Sequence, residues 1–214
     1  IYKNYGFTEI QKIGYPPSVA DLKSEVLQLK QANPDVVLQA AFDADAILSV
    51  RTYKALQFEP KAILAMGAGF ASPTFIKGLG KNADYNYSHT KFHDALGEKR
   101  PAVRQVSAEF KKRTGKPIWD APARAFTGMM VVADALNRAK SFSPEDILAA
   151  LRATDIKGSD LIVPYRGVRF NSNGQNELAN GLITQIQGGK HHPVWPSSIA
   201  TKKAVFPAPP WDKR

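Results

Sequence analysis

Cysteine is absent, histidine and methionine number only four and three, and no long apolar run occurs in this chain of 214 residues. The missing cysteines exclude disulfides, thiol nucleophiles and thiolate-based metal sites, and they are compatible with an oxidising or a reducing compartment. A membrane-crossing helix needs roughly 18 or more consecutive apolar residues, and none is spelled out. The opening Ile1-Tyr2-Lys3-Asn4-Tyr5 holds neither a leader's apolar stretch nor an initiator Met, so the start of the sequence does not name a compartment. No G-x-S-x-G turn occurs, which removes that route to a serine nucleophile.

What is present is the composition of a globular protein, 43% hydrophobic and 22% charged, long enough for one large domain or two small ones. The formal charge of +10 raises nucleic acid as a partner. Its distribution argues against that reading. Basic residues are interleaved with acids, as in Asp94 to Arg100 and Glu109 to Arg113, and no basic run alternates with aromatic residues to make a stacking platform.

Residues 19–32 place Leu22, Val26 and Leu29 at helical spacing, with Ser18 as the expected N-cap. Asn33-Pro34-Asp35 ends that helix, and residues 36–41 read as a short buried strand. Phe42-Asp43-Ala44-Asp45 leads into a second helix over 46–56, and residues 62–66 form another apolar strand. Helices alternating with buried strands predict a parallel α/β sheet with right-handed connections. Ligands of such sheets bind beyond the carboxyl ends of the strands, which puts Phe42, Asp43 and the loop Gly67-Ala68-Gly69-Phe70 forward as a binding wall.

Longer helices are expected from residue 99 onward: 103–113, with Val106 and Phe110 inward; 123–139, with Phe126, Met130, Val131 and Leu136 inward; and one opened by Ser143-Pro144, with Ile147, Leu148 and Leu151 inward. Residues 165–170 read as a strand entering a turn at Asn173-Gly174, and Gly188-Gly189-Lys190 as the turn of a hairpin. The proline-rich end, 201–214, is expected to be an extended surface tail.

Other candidate chemistry is thin. Gly67-Ala68-Gly69 follows a strand, but Ser72-Pro73 stands where a dinucleotide fingerprint requires its third glycine. His89 and His93 have metal-compatible i, i+4 spacing only on a helix, and their surroundings read as strand and connection. Asp43 and Asp45 form the one paired-carboxylate motif, for which helix capping is a sufficient role. No catalytic residue, cofactor or metal is predicted.

The order of motifs resembles the periplasmic solute-binding proteins of the branched-chain amino-acid (Leu/Ile/Val, type I) family. The residues that carry the resemblance are Tyr15-Pro16; Leu29-Lys30 through Val36-Val37; Ala125-Phe126-Thr127-Gly128 through Ala139; Gly167 to Phe170; Gly174-Gln175-Asn176; and Gln185 to Lys190 with Val194-Trp195-Pro196. The resemblance implies two α/β lobes joined by crossover strands, a small polar or aromatic solute held in an interlobe cleft, a periplasmic location, and delivery to the membrane permease of an ABC importer. A ligand-sensing regulatory protein of the same fold is the alternative it leaves open. It further implies that residues 1–88 and 180–200 form the C-terminal, ligand-binding lobe. Residues 89–179 would then be the helical portion of an N-terminal lobe lacking most of its sheet, as expected of a chain truncated at its N-terminus. In amino-acid-binding relatives an acidic residue after the second of these strands accepts the ligand ammonium. Gly69 stands there by the register of that loop, with no carboxylate between Gly67 and Phe75. Unless Asp43 serves instead, an α-amino acid is disfavoured. Phe42 is expected to pack on the ligand and Arg124 to pair with a carboxylate.

Overall fold

In a computed structural model, which describes residues 2–66 and 68–214, the chain divides into two units. Along the chain the elements are α1 (Lys23–Ala32), β1 (Val36–Ala40), α2 (Asp43–Ala55), β2 (Ala62–Met66), α3 (Ala68–Ala71), α4 (Pro73–Leu79), β3 (Tyr87–Thr90), α5 (Pro101–Thr114), α6 (Asp120–Arg138), α7 (Pro144–Arg152), β4 (Asp155–Lys157), β5 (Gly167–Arg169), β6 (Leu182–Gln187) and β7 (Lys190–Trp195). Unit 1 takes the chain up to His89, then Thr184–His192 and Lys202–Arg214; unit 2 takes Thr90–Ile183 and Pro193–Thr201. The chain therefore passes between units four times, and β3, β6 and β7 each straddle a crossing.

A five-stranded sheet in the order β1-β2-β3-β6-β7 organises unit 1, and β1, β2 and β3 run parallel. The register pairs Val37 with Ile63 and Gln39 with Ala65 on a face that is buried with α1 and α2 in one hydrophobic core. On the opposite face Leu38, Ala40 and Met66 remain exposed. As expected, α1 ends at Asn33, whose left-handed backbone (φ 51°) lets its N–H reach Leu29 O before Pro34. The helix begins later than its hydrophobic spacing predicts, at Lys23, and Ser18 is not its N-cap. Ser18 has a positive φ of 62° and gives its N–H to Asp45, at 3.0 and 3.1 Å from the two carboxylate oxygens. A tertiary partner 27 residues away has overridden the local capping signal.

The glycine turn between β6 and β7 fulfils the hairpin expectation. Gly188 and Gly189 have φ of 62° and 71°, the left-handed pair a tight two-residue turn requires, and both amides donate to Asp84. Residues 202–214 are largely extended, yet Trp211 near their end is buried in the unit 1 core. Its indole N–H donates to Phe58 O at 2.9 Å, its backbone N–H to Glu59 at 2.8 Å, and the Arg214 guanidinium lies 3.6 Å from its ring centroid.

Unit 2 packs α5, α6 and α7 with a two-stranded antiparallel pair, β4 and β5. The Ser143 hydroxyl caps α7 as its position predicts, accepting the Asp146 N–H. Two inward assignments require correction. Phe126 and Leu148 are exposed, because α6 packs through the i, i+4 stripe Ala123, Thr127, Val131 and Ala135, and α7 through Ala150. Small side chains let the helices approach closely and turn the larger Phe126, Met129 and Val132 outward. β4 had no signal in the hydrophobic pattern; Gly158 after it fits because an added Cβ would lie 2.6 Å from the Tyr165 and Arg166 carbonyl oxygens. The loop between β4 and β5 is held by Arg100, whose guanidinium donates to the carbonyls of Leu161, Val163 and Tyr165.

Removing the Trp211 side chain empties a filled core position and releases the tail at once. Trp211→Ala is expected to lower unfolding free energy by about 3–5 kcal/mol, read as a shift of the urea midpoint; a loss under about 1 kcal/mol would show that the tail only lies on the surface.

Candidate functional site

The carboxyl ends of β1 and β2 face the same way because the strands are parallel and in register, Ala40 opposite Met66. Ala41 and Phe42 leave β1 and deliver the chain into α2, whose first turn holds Asp43 and Asp45. Phe42 is extended (φ −82°, ψ 173°), its carbonyl accepts the Ala46 N–H at 2.8 Å, and its side chain is 70% exposed. Beyond β2 the chain enters the short helix α3 and then α4.

Gly69 joins the two loop ends. Its N–H donates to Ala41 O at 3.2 Å, and a Cβ placed on it would lie 2.6 Å from Ala41 O and from the Phe42 carbonyl carbon. No side chain fits there without pushing the β1 loop away, so the requirement is for close approach and not for an unusual φ. A second tie runs between helix starts, where the Ser72 hydroxyl, at the N-cap position of α4, donates to the Asp43 carboxylate. The third is the buried Asp45, which accepts the Ser18 amide on both oxygens.

The expected wall residues are thus placed unequally. Phe42, Asp43 and Gly69 come together in unit 1, while Gly67 lies outside the described residues and Ala68 is described only as the first residue of α3. Phe70 turns into the core, fully buried with its ring centroid 4.7 Å from that of Phe75. Two further residues belong to the wall region and were not singled out by their sequence. Met66, 47% exposed, stands at the last position of β2, and Ser72 ties down Asp43. Strand alternation carried a signal for Met66, whereas the partnership of Ser72 with a residue 29 positions away had none.

Arg124 belongs to unit 2, one turn into α6, where its Nε lies 2.8 Å from Asp120. Asp120 is buried and also accepts the Thr90 hydroxyl, at 2.9 Å, and the Lys91 amide. Arg124 is therefore an ion-paired residue whose side chain is 47% exposed. Burial lowers the Lys91 ammonium below its ordinary range, with Asp120 opposing and Arg124 reinforcing the shift, and burial raises the Tyr165 hydroxyl. Elsewhere, His89 lies on β3, and His93 caps the following 3-10 turn, its Nδ1 accepting the Ala95 N–H at 3.1 Å. The two do not share a helix. Among the described residues no group of three or more His, Asp or Glu is arranged to hold a metal ion, and no helix is long and apolar enough to cross a membrane.

Comparison with known proteins places this geometry in a wider group. The sequence profile described as periplasmic binding protein matches residues 1–190. Leu/Ile/Val-binding protein homolog 7 of Brucella abortus (strain 2308) is 30% identical over 210 residues, covering 96% of this chain and 52% of its own length. Homolog 8 of the same strain is 28% identical over 210 residues, covering 95% of this chain and 51% of its own length. Among solved structures, the leucine binding protein LivK from Thermotoga maritima superposes with a TM-score of 0.73 at 20% identity, over 86% of this chain and 50% of that one. The chain spans about half the length of the curated relatives it matches.

The contact at Gly69 makes a specific demand. Gly69→Ala should force the β1 and β2 loop ends apart, cost about 1–3 kcal/mol of stability, and shift the amide resonances of Ala41 and Phe42; an unperturbed spectrum and melting curve would contradict this geometry.

Proposed function

The chain belongs to the periplasmic binding protein family, and on that footing we propose that it acts as the solute-binding component of an ABC importer, holding a small organic ligand against the Phe42 wall of unit 1. In this reading unit 1 is the ligand-binding, C-terminal lobe and unit 2 the helical part of the N-terminal lobe. The protein works in the periplasm, hands its solute to a membrane permease and performs no chemistry on it.

The observation that carries the reading is the exposed Phe42 ring at the carboxyl end of β1, in a chain whose family match extends over residues 1–190. An aromatic side chain left 70% exposed offers apolar area that a ligand can cover. Its backbone is fixed by the Ala46 N–H and by close contact with Gly69, so little ordering remains to be done on binding. The names of the Brucella relatives suggest branched-chain amino acids as the solute class, and aliphatic side chains of that size would match an apolar wall.

Calorimetric titration of the purified chain with aliphatic and aromatic amino acids, their deaminated acids and small amides tests this. At least one solute should bind, and Phe42→Ala should weaken it by about tenfold, the loss expected when one aromatic contact is removed. Saturable binding that is indifferent to Phe42→Ala would place the site elsewhere, and no binding by any member of the panel would overturn the reading.

A further inference from the structure

We infer that residues 202–214 act as a strap that braces β3 and β6 where they leave unit 1, and that the strap and these strand ends open together as one unit. The inference needs no bound solute and stands apart from the solute-binding reading.

Residues 203–210 form no helix or strand of their own, so nothing local holds them in place. A row of ties to unit 1 does so instead. On β6, Gln187 Nε2 donates to Lys203 O at 2.9 Å, Gln185 Nε2 donates to Val205 O at 2.9 Å, and Gln185 Oε1 accepts the Val205 N–H at 2.8 Å. On β3, the Tyr87 hydroxyl donates to the same Val205 carbonyl at 2.8 Å. The Ala208 N–H then donates to Lys61 O at 2.8 Å, just before β2, and Trp211 closes the row in the core. By engaging both the N–H and the C=O of Val205, the Gln185 side chain offers the strap what a neighbouring strand would offer.

The cost of losing the strap falls on Gln185, which is 0% exposed. Its amide also donates to Tyr85 O at 3.3 Å, beside the backbone bonds from Tyr85 N–H to Ile186 O and from Ile186 N–H to Asn86 O. Without Val205 this buried amide loses a donor and an acceptor, and a buried polar group left short of partners is costly. Water can replace them only if the strand ends around Tyr85 and Ile186 open, which joins the two openings into one event. The strap also grips the strands close to where they leave the unit. Unit 1 stops at His89 and resumes at Thr184, two residues beyond Tyr87 and one before Gln185. Any bending of β3 and β6 therefore falls beyond these ties.

Native-state hydrogen exchange of the whole chain, resolved residue by residue, tests this. In the wild-type protein the amides of Val205, Ala208, Tyr85 and Ile186 should share one opening equilibrium, with protection factors that agree within about threefold. Protection of Val205 and Ala208 that is lower than that of Ile186 by about a hundredfold or more would show a strap that opens alone, and overturns the inference. Val205→Pro removes the N–H that Gln185 accepts and leaves every side chain of the core in place. In that variant exchange at Tyr85 and Ile186 should speed up by about tenfold or more, while the amides of β1 and β2 change by less than about threefold. Acceleration confined to residues 202–214, or equal acceleration throughout unit 1, overturns the inference. The wild-type comparison decides the matter whether or not the variant folds.

Discussion

The parallel register of β1, β2 and β3 is the constraint on which unit 1 depends. Parallel strands cannot be joined by a tight turn, so each must be followed by a crossover that returns the chain to the opposite end of the sheet. Here α2 provides one crossover, and α3 with α4 leads into the other. The consequence is that Ala40 and Met66, paired across the sheet, release their chains at the same edge. A slip of β1 by one residue against β2 would exchange the faces of β1, exposing Val37 and Gln39 and burying Leu38. The hydrophobic core and the wall at Phe42 thus have a common origin.

Three polar or steric ties then convert that shared edge into a defined surface. Gly69 lets the two loops touch, Ser72 anchors the start of α2 to that of α4, and Asp45 draws in the segment around Ser18. Each satisfies a group that would otherwise be costly to shield from water. Asp120 does the same work in unit 2, gathering Thr90, Lys91 and Arg124 around one buried carboxylate. In both units a buried acid beside the candidate surface, Asp45 or Asp120, is structural first. A carboxylate counted from sequence alone is therefore a poor guide to a free ligand acceptor.

Much of the architecture was legible because it depends on neighbours along the chain. Hydrophobic runs marked β1 and β2 to within a residue, Asn33-Pro34 marked the end of α1, and Ser143-Pro144 marked the start of α7. Phe42, Asp43 and Gly69 could be named because loops after parallel strands share an edge. The misreadings have one physical source, which is that the deciding contact lies far away in sequence. Ser18 has the chemistry of a cap but is claimed by Asp45. Phe70 looks like a loop aromatic, yet its ring packs on Phe75 in the core. Phe126 is the bulkier choice for the inner side of α6, but close packing favours Ala123, Thr127 and Ala135. Periodicity reveals that a helix has an apolar side; it does not reveal whether large or small residues make the contact.

The interleaving of the two units bears on how the chain comes into being. Unit 1 begins with the first residues described but recruits Thr184–His192 and Lys202–Arg214, and its core is closed by Trp211. A protein emerging from the ribosome presents its N-terminal part first, and contiguous domains can fold in that order. This one cannot. Unit 1 must wait, with the hydrophobic side of β1 and β2 incompletely covered, until the segment that carries Trp211 has been synthesised. The interval between the synthesis of β1 and that of Trp211 is therefore when this part of the nascent chain has most need of protection from aggregation.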